Sequence, residues 1–182
     1  DIPGELDLEM LMMRIMVGYI VGCKTFLIRM EKRFILRLAE IDDIPSIMEI
    51  EQICFNKDSF SKRQFVYLIS QAKGYFCVVE YQQRVVGYFS VLINQRACSL
   101  RIYSIAVHPD FHGKKVGQLL IDQIAVIAQK QGLKRITLEV NVSNSPAIHL
   151  YEKNGFKCTS IKENYYHNGT SAYYMQRPTI VE

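Results

Sequence analysis

Apolar positions fall into two rhythms along this chain. From Phe34 to Leu38 they alternate with polar ones, the period of a half-buried strand. Asp42 or Asp43 then caps a helix that has Pro45 in its first turn and runs to about Cys54. Phe55 to Phe60 reads as a loop, and Ser61-Lys62-Arg63-Gln64 has the form of a capping box opening a helix to about Lys73. Gly74 starts a strand over Tyr75 to Tyr81, Gln82-Gln83 turns it, and a second strand covers Val85 to Ile93. After a break at Asn94-Gln95-Arg96, Cys98 to Val107 forms the next strand, which Pro109 stops. Val116, Leu119, Leu120, Ile124 and Ile127 keep helical spacing up to Gln131, and Gly132 ends that helix. Arg135 to Val140 is a strand. Ser143 or Asn144 caps a short helix, with Pro146 near its start, that ends at Asn154-Gly155. Phe156 to Glu163 and Ala172 to Gln176 make a closing antiparallel pair around His167-Asn168-Gly169.

The resulting order, β-αα-βββ-α-β-α-ββ, describes one α/β (α+β) domain over residues 34–182. Its mixed central sheet has about seven strands and is flanked by helices. Residues 1–33 stand apart. They are apolar and methionine-rich, but Glu9, Arg14, Lys24 and Arg29 interrupt them. The uncharged run Ile15 to Cys23 falls well short of the roughly 20 residues that cross a bilayer. Ile20-Val21-Gly22-Cys23 has a superficial likeness to a lipoprotein cleavage site, yet the segment before it is acidic, against a secretory signal. Two readings stay open: an extension packing as a strand or helix on the core, or an over-long start with Met30 opening the domain.

Charge and cysteine content narrow the classes. The net charge of +4 is mild, and no arginine-rich stripe or basic run interleaved with aromatics is present, which argues against nucleic acid. No membrane partner is expected either. Cys23, Cys54, Cys77, Cys98 and Cys158 are odd in number, widely spaced and without a Cys-x-x-Cys pair, as reduced and mostly buried thiols of a cytoplasmic protein would be. The four histidines show no metal-ligand spacing, so no metal is expected.

The stretch Ser104 to Ile121 carries the first chemical signal. A strand, a short basic turn and a helix N-terminus follow one another, and the first helical turn leaves its N–H groups unpaired at the positive end of the dipole. Lys114 and Lys115 add mobile charge, while Gly113 and Gly117 let the backbone approach a ligand closely. A diphosphate-bearing cofactor suits such a site. Alone, the stretch is equally an ordinary βα connection with two solvated lysines.

A second stretch breaks that tie. Glu139-Val140-Asn141-Val142-Ser143-Asn144 is followed by Ala147-x-x-Leu150-Tyr151-x-x-x-Gly155-Phe156 and by Asn164-Tyr165-Tyr166. Together with the element order, these motifs resemble the GNAT superfamily of acyl-CoA-dependent N-acetyltransferases. They resemble most its RimI-like branch, which includes archaeal protein N-terminal acetyltransferases, over roughly Phe34 to Arg177. In the family's phosphate-loop pattern, Gln/Arg-x-x-Gly-x-Gly/Ala, His112 stands at the first position, Lys115 replaces the first glycine and Gly117 is kept. A side chain at 115 would cost about 1 kcal/mol if the loop needs a positive φ there.

The resemblance implies acetyl transfer from acetyl-CoA to a protein N-terminal α-amine, by direct attack in a ternary complex. No cysteine lies in the motif stretches to form an acyl-enzyme. The resemblance makes Glu139 the base, and partial burial on its strand would raise its pKa toward usefulness. A strand-face glutamate paired with a lysine is the plainer alternative. Tyr151 becomes the acid for the departing sulfur, against a core tyrosine. His112, Gly113, Lys114, Lys115, Val116, Gly117 and Gln118 would hold the phosphates, and the Ile105, Ala106 and Val107 backbone the pantetheine. That last role needs a splayed strand edge rather than ordinary pairing. Asn144 either contacts the pantetheine arm or simply caps its helix. Phe55 with the loop to Ser59, and Tyr165-Tyr166, would clamp the acceptor, and if the tyrosines lie on a strand they cannot both face a core. Acceptors implied are protein or peptide N-termini, ribosomal proteins and nascent chains among them. The enzyme is expected in the cytoplasm as a monomer or weak homodimer. A lysine or small-amine acetyltransferase, and a weakly catalytic acyl-CoA-binding module, are the rival readings.

Overall fold

The computed structural model describes residues 28–30 and 34–179. The expectations for residues 1–27 and 31–33 fall outside that range. Eight strands form one sheet in the order β1-β2-β3-β4-β5-β6-β8-β7. They are β1 Ile28–Met30, β2 Phe34–Leu38, β3 Gly74–Tyr81, β4 Arg84–Asn94, β5 Ser99–Val107, β6 Arg135–Asn141, β7 Lys157–Lys162 and β8 Ala172–Pro178. Four helices connect them: α1 Ile44–Phe55, α2 Lys62–Ser70, α3 Val116–Lys130 and α4 Ser145–Lys153. All seven strands read from the alternation are present. The short β1 adds an eighth, pairing antiparallel with β2 at Ile28↔Leu36, and three residues are too few to show a period in sequence. Helix α2 closes at Ser70, three residues short of the predicted end: the Tyr67 carbonyl takes both the Gln71 and the Ala72 N–H, and the chain turns into β3 at Gly74.

Alternation along the strands feeds two cores, one on each face of the sheet. Cys77, Val79, Val86, Phe89, Leu100 and Ile102 turn toward α3, whose Val116, Leu119, Leu120, Ile124 and Ile127 are all buried as their spacing predicts. Phe76, Val78, Val85 and Tyr88 turn the other way, toward Ile44, Ile47 and Ile50 of α1 and Phe65 and Leu68 of α2. Of the described thiols only Cys77 is buried. Cys54 and Cys158 are exposed, which corrects the expectation of mostly buried cysteines: Cys54 lies at the end of α1, its thiol donating to the Val107 carbonyl, and Cys158 lies on the edge strand β7.

One ion pair fixes the entry to α1. Arg37 on β2 donates to both oxygens of Asp43, at 2.7 and 2.8 Å, and to Glu80 on β3 at 3.0 Å. Burial opposes ionisation of Asp43, but the Arg37 hydrogen bonds, the Glu40 N–H and the Arg37 charge outweigh it and hold the carboxyl below its usual range. A depressed carboxyl contributes stability above its unfolded pKa and loses it as the pH falls through the folded value. Asp43→Asn should therefore cost about 1–3 kcal/mol at pH 7. In urea titrations at stepped pH that penalty should shrink below about pH 4. A penalty constant down to pH 2 would contradict the assignment.

Candidate active site

The turn between β5 and α3 is shaped by residues whose side chains mostly look away from any ligand. Phe111 is buried and anchors the turn, and the Lys114 ammonium sits 4.5 Å over its ring. Gly113 has φ +74° and Lys115 φ +61°, so the backbone at 115 does take the left-handed form that the family's glycine would hold easily. The chain accepts that strain, about 1 kcal/mol, and gains an ammonium at the mouth of the turn. The N–H groups of Val116, Gly117 and Gln118 have no acceptor among the described residues. Successive free N–H groups next to a left-handed residue form a concavity that fits an anion.

Within this turn the predicted ligand side chains divide. The Val116 side chain is buried in the core, so only its backbone is available. A Cβ on Gly117 would come within 3.2 Å of Leu150 Cδ2, so this glycine also allows the close approach of α3 and α4. The Gln118 amide donates to Asp122 and to Asn154, both at 2.7 Å, and accepts from Asn154 at 3.0 Å, which ties α3 to the end of α4. His112 Nε2 lies 3.0 Å from the Val107 carbonyl oxygen and locks the turn onto β5.

Beyond the turn, the sheet opens. Parallel β5 and β6 pair only from Ser99↔Arg135 to Ile102↔Leu138. Past those pairs the β6 side of β5 has no strand on it. On the other side, β4 pairs with β5 to Val107, with a bulge at Tyr103 between the pairs Ser90↔Ser104 and Val91↔Ile102. His108 N–H bonds the Val86 carbonyl, so by alternation Ala106 faces β4 while the Ile105 backbone groups and the Val107 N–H face the gap. The splayed edge expected of this strand is present.

Glu139 is the first residue of β6 past the ladder. Its side chain is only 6% exposed, but it is not alone: Arg101 Nε donates to Oε2 at 3.0 Å and Lys162 Nζ to Oε1 at 2.5 Å. Pairing with a lysine was the plainer expectation, and it holds together with the burial. Each carboxylate oxygen keeps a second lone pair for a water. Arg101 also donates to the Tyr165 hydroxyl at 3.2 Å. Tyr165 is exposed and Tyr166 half-buried, their rings 5.1 Å apart. They lie in the turn after β7 and not on a strand, so strand alternation does not govern them. Burial, then the nearby Tyr165, Asp58 and Glu139, push the Tyr166 phenol up to about 12. Tyr151 on α4 is buried against Phe156, and burial followed by the influence of Tyr166 raises its phenol far above the ordinary value. Its hydroxyl has no hydrogen-bond partner among the described residues, and it stays protonated at neutral pH. Arg101 thus links Glu139 to Tyr165, and Tyr166 lies close enough to both Glu139 and Tyr151 to feel their charge.

Two predicted residues stand elsewhere. The Asn144 side chain accepts from the Ala147 N–H at 3.2 Å, the helix cap of α4. Phe55 packs at the rim of the α1–α2 core. Phe60 packs on the same core, stacked on Tyr103 at 5.2 Å with the Arg101 guanidinium 5.5 Å over the Tyr103 ring. Asp58 accepts from the His167 N–H at 3.1 Å and lies 2.9 Å from its Nδ1, joining the loop after α1 to the β7–β8 hairpin. Sequence reading missed Arg101, Lys162, Phe60 and Tyr103. Arg101 and Tyr103 were open to discovery, being the polar phase of β5 four and two residues before Ile105.

A model of the acetyltransferase (GNAT) family matches residues 44–156. The chain is 31% identical over 159 residues to the N-alpha-acetyltransferase of Sulfurisphaera tokodaii, covering 81% of this chain and 94% of that one. It is 29% identical over 129 residues to the [ribosomal protein bS18]-alanine N-acetyltransferase of Escherichia coli K12, covering 70% and 83%. Among solved structures, Ard1 of Thermoplasma volcanium superposes with a TM-score of 0.74 at 28% identity, covering 82% of this chain and 99% of that one.

The left-handed Lys115 gives a direct test of the turn. Lys115→Gly should raise the unfolding free energy by about 0.5–1 kcal/mol, read as a higher urea midpoint at unchanged slope. A lower midpoint would mean that the lysine is not strained there.

Proposed function

The chain belongs to the acetyltransferase (GNAT) family and is an acyl-CoA-dependent N-acetyltransferase, and we propose that its acceptor is the N-terminal α-amino group of a protein. The observation that carries this reading is the buried, ion-paired Glu139 at the mouth of the β5–β6 gap, with the two tyrosines of the β7–β8 turn beside it. Relatives named N-alpha-acetyltransferase and ribosomal-protein-alanine N-acetyltransferase support the same acceptor class, ribosomal proteins included.

The turn before α3 fits the phosphates of the cofactor: free N–H groups at 116–118 and the ammonium groups of Lys114 and Lys115 would hold them. The Ile105 backbone groups and the Val107 N–H would pair with the pantetheine amides along the gap. Acetyl-CoA, when bound, supplies a thioester whose carbonyl carbon the amine attacks. Glu139, fixed by Arg101 and Lys162, accepts the amine's proton through a water. An α-amine with a pKa near 7.7–8 needs only so weak a base, whereas a lysine near 10.4 needs more. Tyr151 keeps its proton throughout the working range and delivers it to the sulfur as the carbon–sulfur bond breaks. The bond formed is nitrogen to carbonyl carbon, and one proton leaves the amine while one reaches the thiolate.

Residues 34–182 are the acetyltransferase domain on this reading, with 1–33 an extension. The free thiols of Cys54, Cys77, Cys98 and Cys158 suit a reducing compartment such as the cytoplasm.

Steady-state kinetics on a peptide with a free N-terminus test the roles. Glu139→Gln should lower kcat by about a hundredfold, and Tyr151→Phe by about ten- to a hundredfold, with KM for acetyl-CoA changed less. The parent rate should climb toward pH 8 as the amine loses its proton. Turnover of either variant within about twofold of the parent would remove that residue from the mechanism.

A further inference from the structure

The face of the sheet beside Glu139 carries a cavity of about 450 Å³ that acetyl transfer as described leaves unused. Glu139, Thr137 and Arg135 point into it from alternate positions of β6, Arg101 flanks them on β5, and Lys162 and Asn94 close its sides. Three cations line the space against a single carboxylate, an excess of two positive charges. Arg101 and Lys162 each give one bond to Glu139, and Arg135 has no ion pair among the described residues.

We propose that this groove seats an acidic side chain of the acceptor, a few residues after its N-terminus, and so selects acceptors by charge. The inference rests on the N-terminal reading above and adds the acceptor's sequence class to it. Glu139 and Arg135 are four positions apart on a strand, about 13 Å. An extended acceptor with its amine at Glu139 spans that distance in about four residues. Its third to fifth side chains then lie beside Arg101 and Arg135, whose planar forks suit a carboxylate. The cofactor's phosphates do not compete for the place. Arg135 pairs with Ser99 at the start of β5, whereas the phosphate turn follows the end of β5, so the two sites lie at opposite ends of parallel strands. The volume falls within the ordinary range for ligand pockets, about 300–1,000 Å³.

The test uses peptides sharing their first two residues and carrying acidic, alanine or lysine residues at positions three to five. With acetyl-CoA and the full chain, kcat/KM should rank acidic over alanine over lysine, by roughly threefold per step. The ranking should compress at about 0.5 M salt. Arg135→Ala should narrow the spread and Arg135→Glu should invert it, with urea midpoints confirming that both variants fold. Equal values for the three peptides, or a ranking that Arg135→Glu leaves in place, would overturn the proposal. Fluorescence anisotropy of the labelled peptides on the CoA-loaded protein reads the groove without turnover. Acidic preference in binding with no acetylation would keep the groove and overturn the acceptor chemistry. Acetylation of the alanine peptide with no charge preference in either assay would overturn the groove alone.

Discussion

Pairing between β5 and β6 stops after Ile102 and Leu138, and that interruption of a parallel ladder is the constraint on which the rest of the site depends. Backbone groups at a sheet edge need partners. On β5 the Ile105 backbone groups and the Val107 N–H face the gap, while the Val107 carbonyl is taken by His112 and the Cys54 thiol, and the next residue of β6 past the ladder is Glu139. The same divergence aims the end of β5 into the turn before α3. Charge and geometry therefore line up along one path. N–H groups without an acceptor among the described residues lie at one end, an open strand edge in the middle, and a carboxylate clamped by Arg101 and Lys162 at the other.

A gap of this kind must be held open, and the α1–α2 core supplies the brace. Glu51 on α1 is 1% exposed; its carboxylate accepts from the Tyr88 hydroxyl on β4 and from the Phe60 N–H at 2.9 Å. Tyr88 lies 3.1 Å from the Ser104 hydroxyl, the residue after the bulge on β5. Burial raises the Glu51 carboxyl above its usual range, and the two hydrogen bonds work against that rise. One buried side chain thus connects a helix, the loop that carries Phe60, the neighbouring strand and the bulge. An unsatisfied partner in such a network costs about 1–3 kcal/mol, so the bulge is strongly held.

Much of this was legible in sequence because it is local. The 3.6 period of α3, the capping box at Ser61 and the cap at Asn144 depend on residues within a few positions of one another, and they fold as read. The Glu139–Asn144 and Ala147–Phe156 motifs led to Glu139 and Tyr151 for the same reason. What stayed hidden was long-range. Glu139 meets Arg101 and Lys162 across 38 and 23 residues, and Asp58 meets His167 across 109. The packing role of Gly117 was hidden because its neighbour Leu150 comes from another helix. For Tyr165 and Tyr166 the strand condition does not arise, because Gly169, with a bond from its N–H to the Tyr166 carbonyl, folds them into a turn.

The central claim is that the acceptor is an α-amine, and the most direct measurement is where the acetyl group lands. A peptide with both a free N-terminus and an internal lysine, incubated with the protein and acetyl-CoA, can be fragmented in a mass spectrometer to locate the modification. The account predicts acetyl on the N-terminal nitrogen with the lysine untouched, and no product when the N-terminus is blocked beforehand. Acetyl on the lysine, persisting after the block, would contradict it.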